Sequence, residues 1–136
     1  NIMLKFLGGK KMNSKISFYR CEKCGNIVVL IKNGGGTLKC CGEPMKLLTA
    51  NTSDGAHEKH VPVAVKANGE VKVHVSSIEH PMIDAHYIQW IALVTDNNVE
   101  LTYLHPGDRP HVTFKDKGFG EVYEYCNLHG LWKVVL

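Results

Sequence analysis

Cys21-x-x-Cys24 and the adjacent pair Cys40-Cys41 are the residues whose spacing points most directly at chemistry. A Cys-x-x-Cys turn lets two thiolates converge on one ion while nearby backbone N–H groups face the sulfurs, and the following Gly25 permits the tight backbone. Four thiolates suit either zinc or iron, since both accept a tetrahedral sulfur set. The adjacent pair departs from an ordinary zinc ribbon, which carries a second Cys-x-x-Cys, and neighbouring ligands force an irregular tetrahedron. Four thiolates also make a site anionic, which suits electron transfer or structure better than capture of an anion. The competing reading is a pair of disulfides or buried free thiols.

A second set is dispersed along the chain: Glu58-Lys59-His60-Val61-Pro62, His80-Pro81, His86-Tyr87-Ile88-Gln89-Trp90 and Cys126-Asn127-Leu128-His129. Each piece alone is weak. A lone histidine in a β-protein is more often a surface or hydrogen-bonded core residue, and a lone cysteine behaves as a small hydrophobe. Cys-x-x-His at a strand end, with histidines near other strand termini, places a metal reading on equal terms with the structural one.

The elements that must position these residues read as strands. Ser17–Arg20, Asn26–Ile31 and Pro44–Leu48 are short candidates in a first module running from about Lys15 to Ala50, with Asn33-Gly34-Gly35-Gly36 as a turn between them. A module that small cannot build its own core, and a metal is the usual remedy below about 40 residues. The polar stretch 50–55 reads as a linker. Beyond it Glu70–Val75 alternates as a half-buried strand does, and Tyr87–Val94 is more continuously apolar, which suits a central strand. Val99–Leu104, Val112–Lys115, Glu121–Tyr125 and Leu131–Val135 follow, punctuated by Asn68-Gly69, Asp96-Asn97-Asn98, Pro106-Gly107-Asp108 and Lys117-Gly118. No stretch shows a convincing helical period, and six or seven strands at this spacing predict an antiparallel sandwich.

Composition narrows the classes. The 136 residues are 44% hydrophobic and 21% charged, an ordinary globular balance. A net charge of +3 with no basic stripe interleaved with aromatics argues against a nucleic-acid partner. No apolar run reaches membrane-spanning length. The hydrophobic flavour of the first eleven residues is broken by lysine and no small-residue cleavage site follows, so residues 1–14 are expected to be an extension outside the fold. Five cysteines, an odd number, argue for metal ligation or catalysis over a disulfide framework and for the reducing cytoplasm.

Taken jointly, Tyr-x-Cys-x-x-Cys-Gly-Asn, the paired cysteines, Glu-Lys-His-Val-Pro, His-Pro-Met, His-Tyr-Ile-Gln-Trp and Tyr-Cys-Asn-x-His-Gly-x-Trp-Lys are highly specific. From about Phe18 to Val134 the sequence resembles the desulfoferrodoxins, the two-iron form of superoxide reductase. The resemblance implies an all-β chain in which a small desulforedoxin-like metal module, residues 15–50, precedes an immunoglobulin-like antiparallel β-sandwich, residues 51–136. It implies two iron ions. One is a distorted rubredoxin-like centre on Cys21, Cys24, Cys40 and Cys41. The other has four equatorial histidines, His60, His80, His86 and His129, with Cys126 axial. His57, His74, His105 and His111 fall outside the motifs and read as structural or surface residues.

The implied activity is one-electron reduction of superoxide to hydrogen peroxide in a homodimer fed by a rubredoxin-like donor. Neutral imidazoles and one thiolate around a ferrous ion leave a net charge of +1 and a sixth position open opposite the sulfur. Lys59 is the local cation that attracts the anion, and Glu58 resembles the family glutamate that assists product release. The alternatives from other classes are a zinc-ribbon-containing metal-binding protein and an electron-transfer protein without superoxide turnover.

Overall fold

The computed structural model describes residues 16–136, so the extension expected over residues 1–14 lies outside the described residues. The chain divides into two compact units, the first ending at Thr49 and the second continuing from Ala50 to Leu136.

Among its described residues the first unit holds five short strands: β1 (Ser17–Arg20), β2 (Ile27–Leu30), β3 (Lys39–Cys40), β4 (Glu43–Pro44) and β5 (Lys46–Leu47). β1 is central, antiparallel to β2 through Ser17↔Leu30 and to β5 through Tyr19↔Leu47. β3 and β4 form a separate ladder whose turn is Cys41-Gly42, with φ of 55° and 79°. Both central residues at positive φ define the tight turn that matches strand twist. A single strand over Pro44–Leu48 is therefore split. Pro44 has no N–H to extend a ladder, and β4 pairs with β3 while β5 pairs with β1.

The second unit opens with a single helical turn, α1 (His57–His60), the only helix among the described residues and too short to leave a period in the sequence. Seven strands follow: β6 (Val63–Ala67), β7 (Glu70–His74), β8 (Ile88–Thr95), β9 (Asn98–Tyr103), β10 (His111–Lys115), β11 (Gly120–Cys126) and β12 (Gly130–Val135). They form two antiparallel sheets, β10-β7-β6 and β12-β11-β8-β9. This is the antiparallel sandwich that the strand spacing predicts, in the immunoglobulin-like form that the resemblance implies.

Val71 and Val73 of β7, Phe114 of β10, Ile91 and Leu93 of β8, and Val122 and Cys126 of β11 form one core, contributed by both sheets. β7 buries Val71 and Val73 and exposes Glu70 and Lys72, while every residue of β11 is buried. The edge strand β6 is not marked in the sequence. Only Val63 and Ala64 are half-buried there and the rest is exposed, so its pattern carries little signal. Asn68 and Gly69, at φ 54° and 77°, make the two-residue turn that joins it to β7.

Candidate metal centres

In the first unit the chain turns sharply after β1. The Gly25 N–H donates to the Cys21 carbonyl (2.9 Å), and the Cys21 N–H to the Asn26 carbonyl (2.8 Å), with Gly25 at φ 81°. The Cys24 N–H faces the Cys21 sulfur at 3.4 Å. The β3–β4 turn supplies the other pair, since Cys40 ends β3 and Cys41 occupies the turn itself. All four sulfurs lie within 4.8 Å of one another, with Cys24–Cys40 at 3.6 Å and Cys40–Cys41 at 3.9 Å. Four metal–sulfur bonds of about 2.3 Å in a tetrahedron place sulfurs about 3.8 Å apart, so the set is spaced for one ion. All five cysteines are free, which removes the disulfide reading.

The protons are shared unequally. Hydrogen bonding from the Cys24 N–H pulls the Cys21 thiol down to about 6, against the opposing effect of burial. Hydrogen bonds with Cys24 and Cys21 push Cys41 up to about 12, and Cys40 is raised by the same neighbours. An incoming cation must therefore displace protons as it binds.

The second unit gathers its donors from four places. His60 ends α1, His80 follows the 76–79 turn, His86 closes the Ile83–His86 turn, and Cys126 and His129 flank the β11–β12 hairpin. That hairpin explains the Cys-x-x-His spacing. Cys126 pairs with Gly130 across a three-residue loop, and Gly130 takes φ 80°. On the other side of β11 the register to β8 slips between Tyr125 and Cys126, a bulge that re-aims the cysteine.

The five ligand atoms lie within 4.8 Å of one another. His60 Nε2 is 3.1 Å from His129 Nδ1 and 3.2 Å from His80 Nε2. Metal–nitrogen bonds of about 2.1 Å place neighbouring corners of a square about 3.0 Å apart. The rings follow that order: centroids are separated by 4.7 Å (His60–His80), 4.6 Å (His80–His86), 5.0 Å (His86–His129) and 4.8 Å (His129–His60). The diagonal His60–His86 is 6.4 Å. This is a ring of four imidazoles with His60 opposite His86. The Cys126 sulfur, 3.7 Å from His129 Nδ1, is the fifth donor.

The protonation pattern fits a cation. His60 Nδ1 lies 2.8 Å from the Ala56 carbonyl and His80 Nδ1 2.7 Å from the Pro81 carbonyl. A carbonyl can only accept, so both Nδ1 atoms carry the proton and both Nε2 lone pairs face the centre. Burial holds His60, His80 and His86 below their ordinary values, His80 down to about 4, so the rings are neutral at pH 7. His86 Nε2 is buried with no hydrogen-bond partner. A buried lone pair with no partner in the protein suits a metal donor.

Neighbouring groups fix this ring. Trp132, fully buried, stacks on His60 at 4.9 Å and donates its indole N–H to the His129 carbonyl at 3.0 Å. A Cβ at Gly55 would meet His60 Cε1 and Trp132 Cζ2 at 3.2 Å, so a side chain there would have to push the imidazole and the indole apart by a few tenths of an ångström. Cys126 is pushed up by burial and drawn down by the Leu128 and His129 N–H groups. Two residues before it, Glu124 is fully buried with both carboxyl oxygens unpartnered, and burial pushes it well above the usual carboxylate range.

Residues 52–135 match the family model described as Desulfoferrodoxin, and residues 13–48 match the model described as Desulfoferrodoxin, N-terminal domain. The chain belongs to the desulfoferrodoxin family. It is 51% identical over 123 residues to the desulfoferrodoxin of Nitratidesulfovibrio vulgaris, covering 90% of this chain and 98% of that one. It is 50% identical over 122 residues to that of Syntrophotalea carbinolica, covering 89% and 97%. Among solved structures, the superoxide reductase from Treponema pallidum superposes with a TM-score of 0.72 at 34% identity, covering 90% of this chain and 99% of that one. The donor sets are those of desulfoferrodoxin's two iron centres, one with four cysteines and one with four histidines and a cysteine.

The structure brings together every histidine and cysteine that the motifs single out. Lys59 and Glu58 are exposed on α1, beside His60. The positive charge of Lys59 reaches the ring, lowering both His60 and His86, whereas the Glu58 carboxylate makes no contact with it among the described residues. His57, His74, His105 and His111 lie outside the donor sets. His57 packs edge-on against Trp132, His74 pairs with His111 across β7 and β10, and His105 meets Asp108. Trp132 and Asn127 stand inside the recognised motifs without an assigned role. Their contacts depend on strand register, which local spacing does not carry.

Proposed function

We propose that the second centre reduces superoxide to hydrogen peroxide, O2•− + e− + 2H+ → H2O2, using one electron per turnover from a rubredoxin-like donor. The observation that carries this reading is the ring of four imidazoles with a single buried sulfur donor. Five donors leave a six-coordinate cation one position for an inner-sphere ligand. Iron held by these five residues would supply the electron and be recharged by the donor, while the chain holds the ion and draws the anion to it.

The imidazoles bring no charge of their own, so the centre keeps a net positive charge to offer an anion. Lys59 adds an exposed cation beside the ring. A unit charge at about 4 Å contributes roughly 1 kcal/mol in water and about 4 at a surface-like dielectric, enough to speed capture. Glu58, on the same helical turn, assists release of the product. Residues 15–50 form the iron module and residues 51–136 the sandwich that carries turnover. The four-cysteine centre is accessory to turnover in this reading. The free thiols suit the reducing cytoplasm, and the assembly is a homodimer.

The stoichiometry of peroxide tests the reaction. With an electron donor supplied, each superoxide consumed is expected to yield one peroxide and no dioxygen. Half that yield, with dioxygen evolved, would mean dismutation and would overturn the proposal.

Replacing Lys59 with Ala is expected to slow superoxide capture on the order of 10-fold at low salt and to flatten its dependence on ionic strength. Stopped-flow decay at several salt concentrations measures both. Unchanged kinetics would reject the steering role.

A further inference from the structure

His86 is held differently from His60 and His80. His60 and His80 are clamped through their own Nδ1–H groups on backbone carbonyls, whereas no such bond holds the His86 ring among the described residues. Its place is set by its backbone. On one side the Ile83–His86 turn closes with reciprocal N–H to carbonyl bonds of 3.0 Å. On the other side stands Asn127, the residue directly after Cys126.

The Asn127 side chain brackets His86. Its Nδ2 donates to the carbonyl of Ala85 at 3.1 Å, and its Oδ1 accepts the N–H of Tyr87 at 3.0 Å. The Asn127 backbone N–H adds a bond to the Tyr87 carbonyl at 3.2 Å. The peptide groups before and after His86 are thus tied to the strand end that carries the sulfur donor, across 40 positions of sequence.

We propose that Asn127 is the positioning residue for His86, locking that imidazole in register with Cys126. The reading rests on the assignment of His86 and Cys126 as ligands. An amide is the side chain suited to the task, because it offers one donor and one acceptor at a fixed separation. Without it the backbone around His86 keeps the Ile83–His86 turn and the single Tyr87 bond, and no hydrogen bond to the imidazole itself makes up the loss.

The test uses the iron-loaded full chain and follows iron, not turnover, so it is separable from the superoxide reading. Asn127→Ala is expected to weaken iron retention at the second centre about 10- to 100-fold, the usual cost of losing an outer partner of a ligand. The measurement is release to a chelator, and the thiolate-to-iron absorption of the oxidised centre should shift with it. Iron at the four-cysteine centre should be retained as before. Asn127→Asp keeps the acceptor for Tyr87 N–H and loses the donor to Ala85, so it should fall between the two and serves if the alanine variant fails to fold. In a His86→Ala background, Asn127→Ala should add nothing further. Wild-type retention in both Asn127 variants, or an undiminished further loss in the His86→Ala background, would overturn the proposal.

Discussion

Replacing Cys126 with Ser is expected to abolish the thiolate-to-iron absorption of the oxidised second centre and to slow superoxide reduction by more than about 100-fold. Outer partners of ligands already contribute about 10- to 100-fold, and a direct donor contributes more. The substitution should fold. Cys126 has no exposed surface, but Ser is smaller, and its hydroxyl finds the Leu128 and His129 N–H groups that now face the sulfur. What the hydroxyl lacks is the charge. A buried alcohol stays neutral at pH 7, so the centre loses the anionic donor that pushes electron density toward the iron.

The thiol itself would not ionise unaided, because burial raises it. The cation takes the place of the proton on binding, and loading should release that proton. Visible spectra and stopped-flow superoxide decay measure the two effects, with the four-cysteine centre as an internal control. Survival of the absorption in the serine variant would remove Cys126 from the ligand set.

The two centres were legible to different degrees, for a physical reason. The four-cysteine set is written in local spacing: a Cys-x-x-Cys turn closed by Gly25 and a hairpin turn at Cys41-Gly42 need only nearby residues. The histidine ring is assembled from positions 60 to 129 by the pairing of β8 with β11 and of β11 with β12. Each motif is therefore weak alone, and they became readable only together.

Contacts set by register were not legible at all. Glu121 and Glu124 look alike in sequence, three residues apart on one buried strand. Glu121 is satisfied by the Tyr123 hydroxyl (2.9 Å) and the Lys133 ammonium (3.0 Å). Glu124 falls on the row of Val122 and Cys126, the core-facing side, and finds no partner. Asn127 is a similar case, since its meaning lies in Ala85 and Tyr87, which the chain places opposite it just before β8.

The iron-free protein is expected to lose stability as the pH falls from 7 to 5. Burial, with help from the charges of His60, His86 and His129, lowers His80 from 6.5 to about 4, against the opposing bond to the Pro81 carbonyl. His60 and His86 are shifted in the same direction. Because the folded value lies below the unfolded one, the unfolded chain binds more protons throughout that window. Stability is therefore full above about 6.5 and declines as the pH falls toward 4. A shift of that size is worth about 3 kcal/mol from His80 alone once the window is crossed, a large share of a small domain's stability. Iron loading should flatten the dependence, since a ligated nitrogen cannot take a proton until the cation leaves. Urea unfolding of the iron-free and iron-loaded chains at pH 7, 6 and 5 measures the difference. A flat profile in the iron-free chain would mean that the imidazoles are not held neutral by burial, and the account of a preformed, uncharged ring would fall with it.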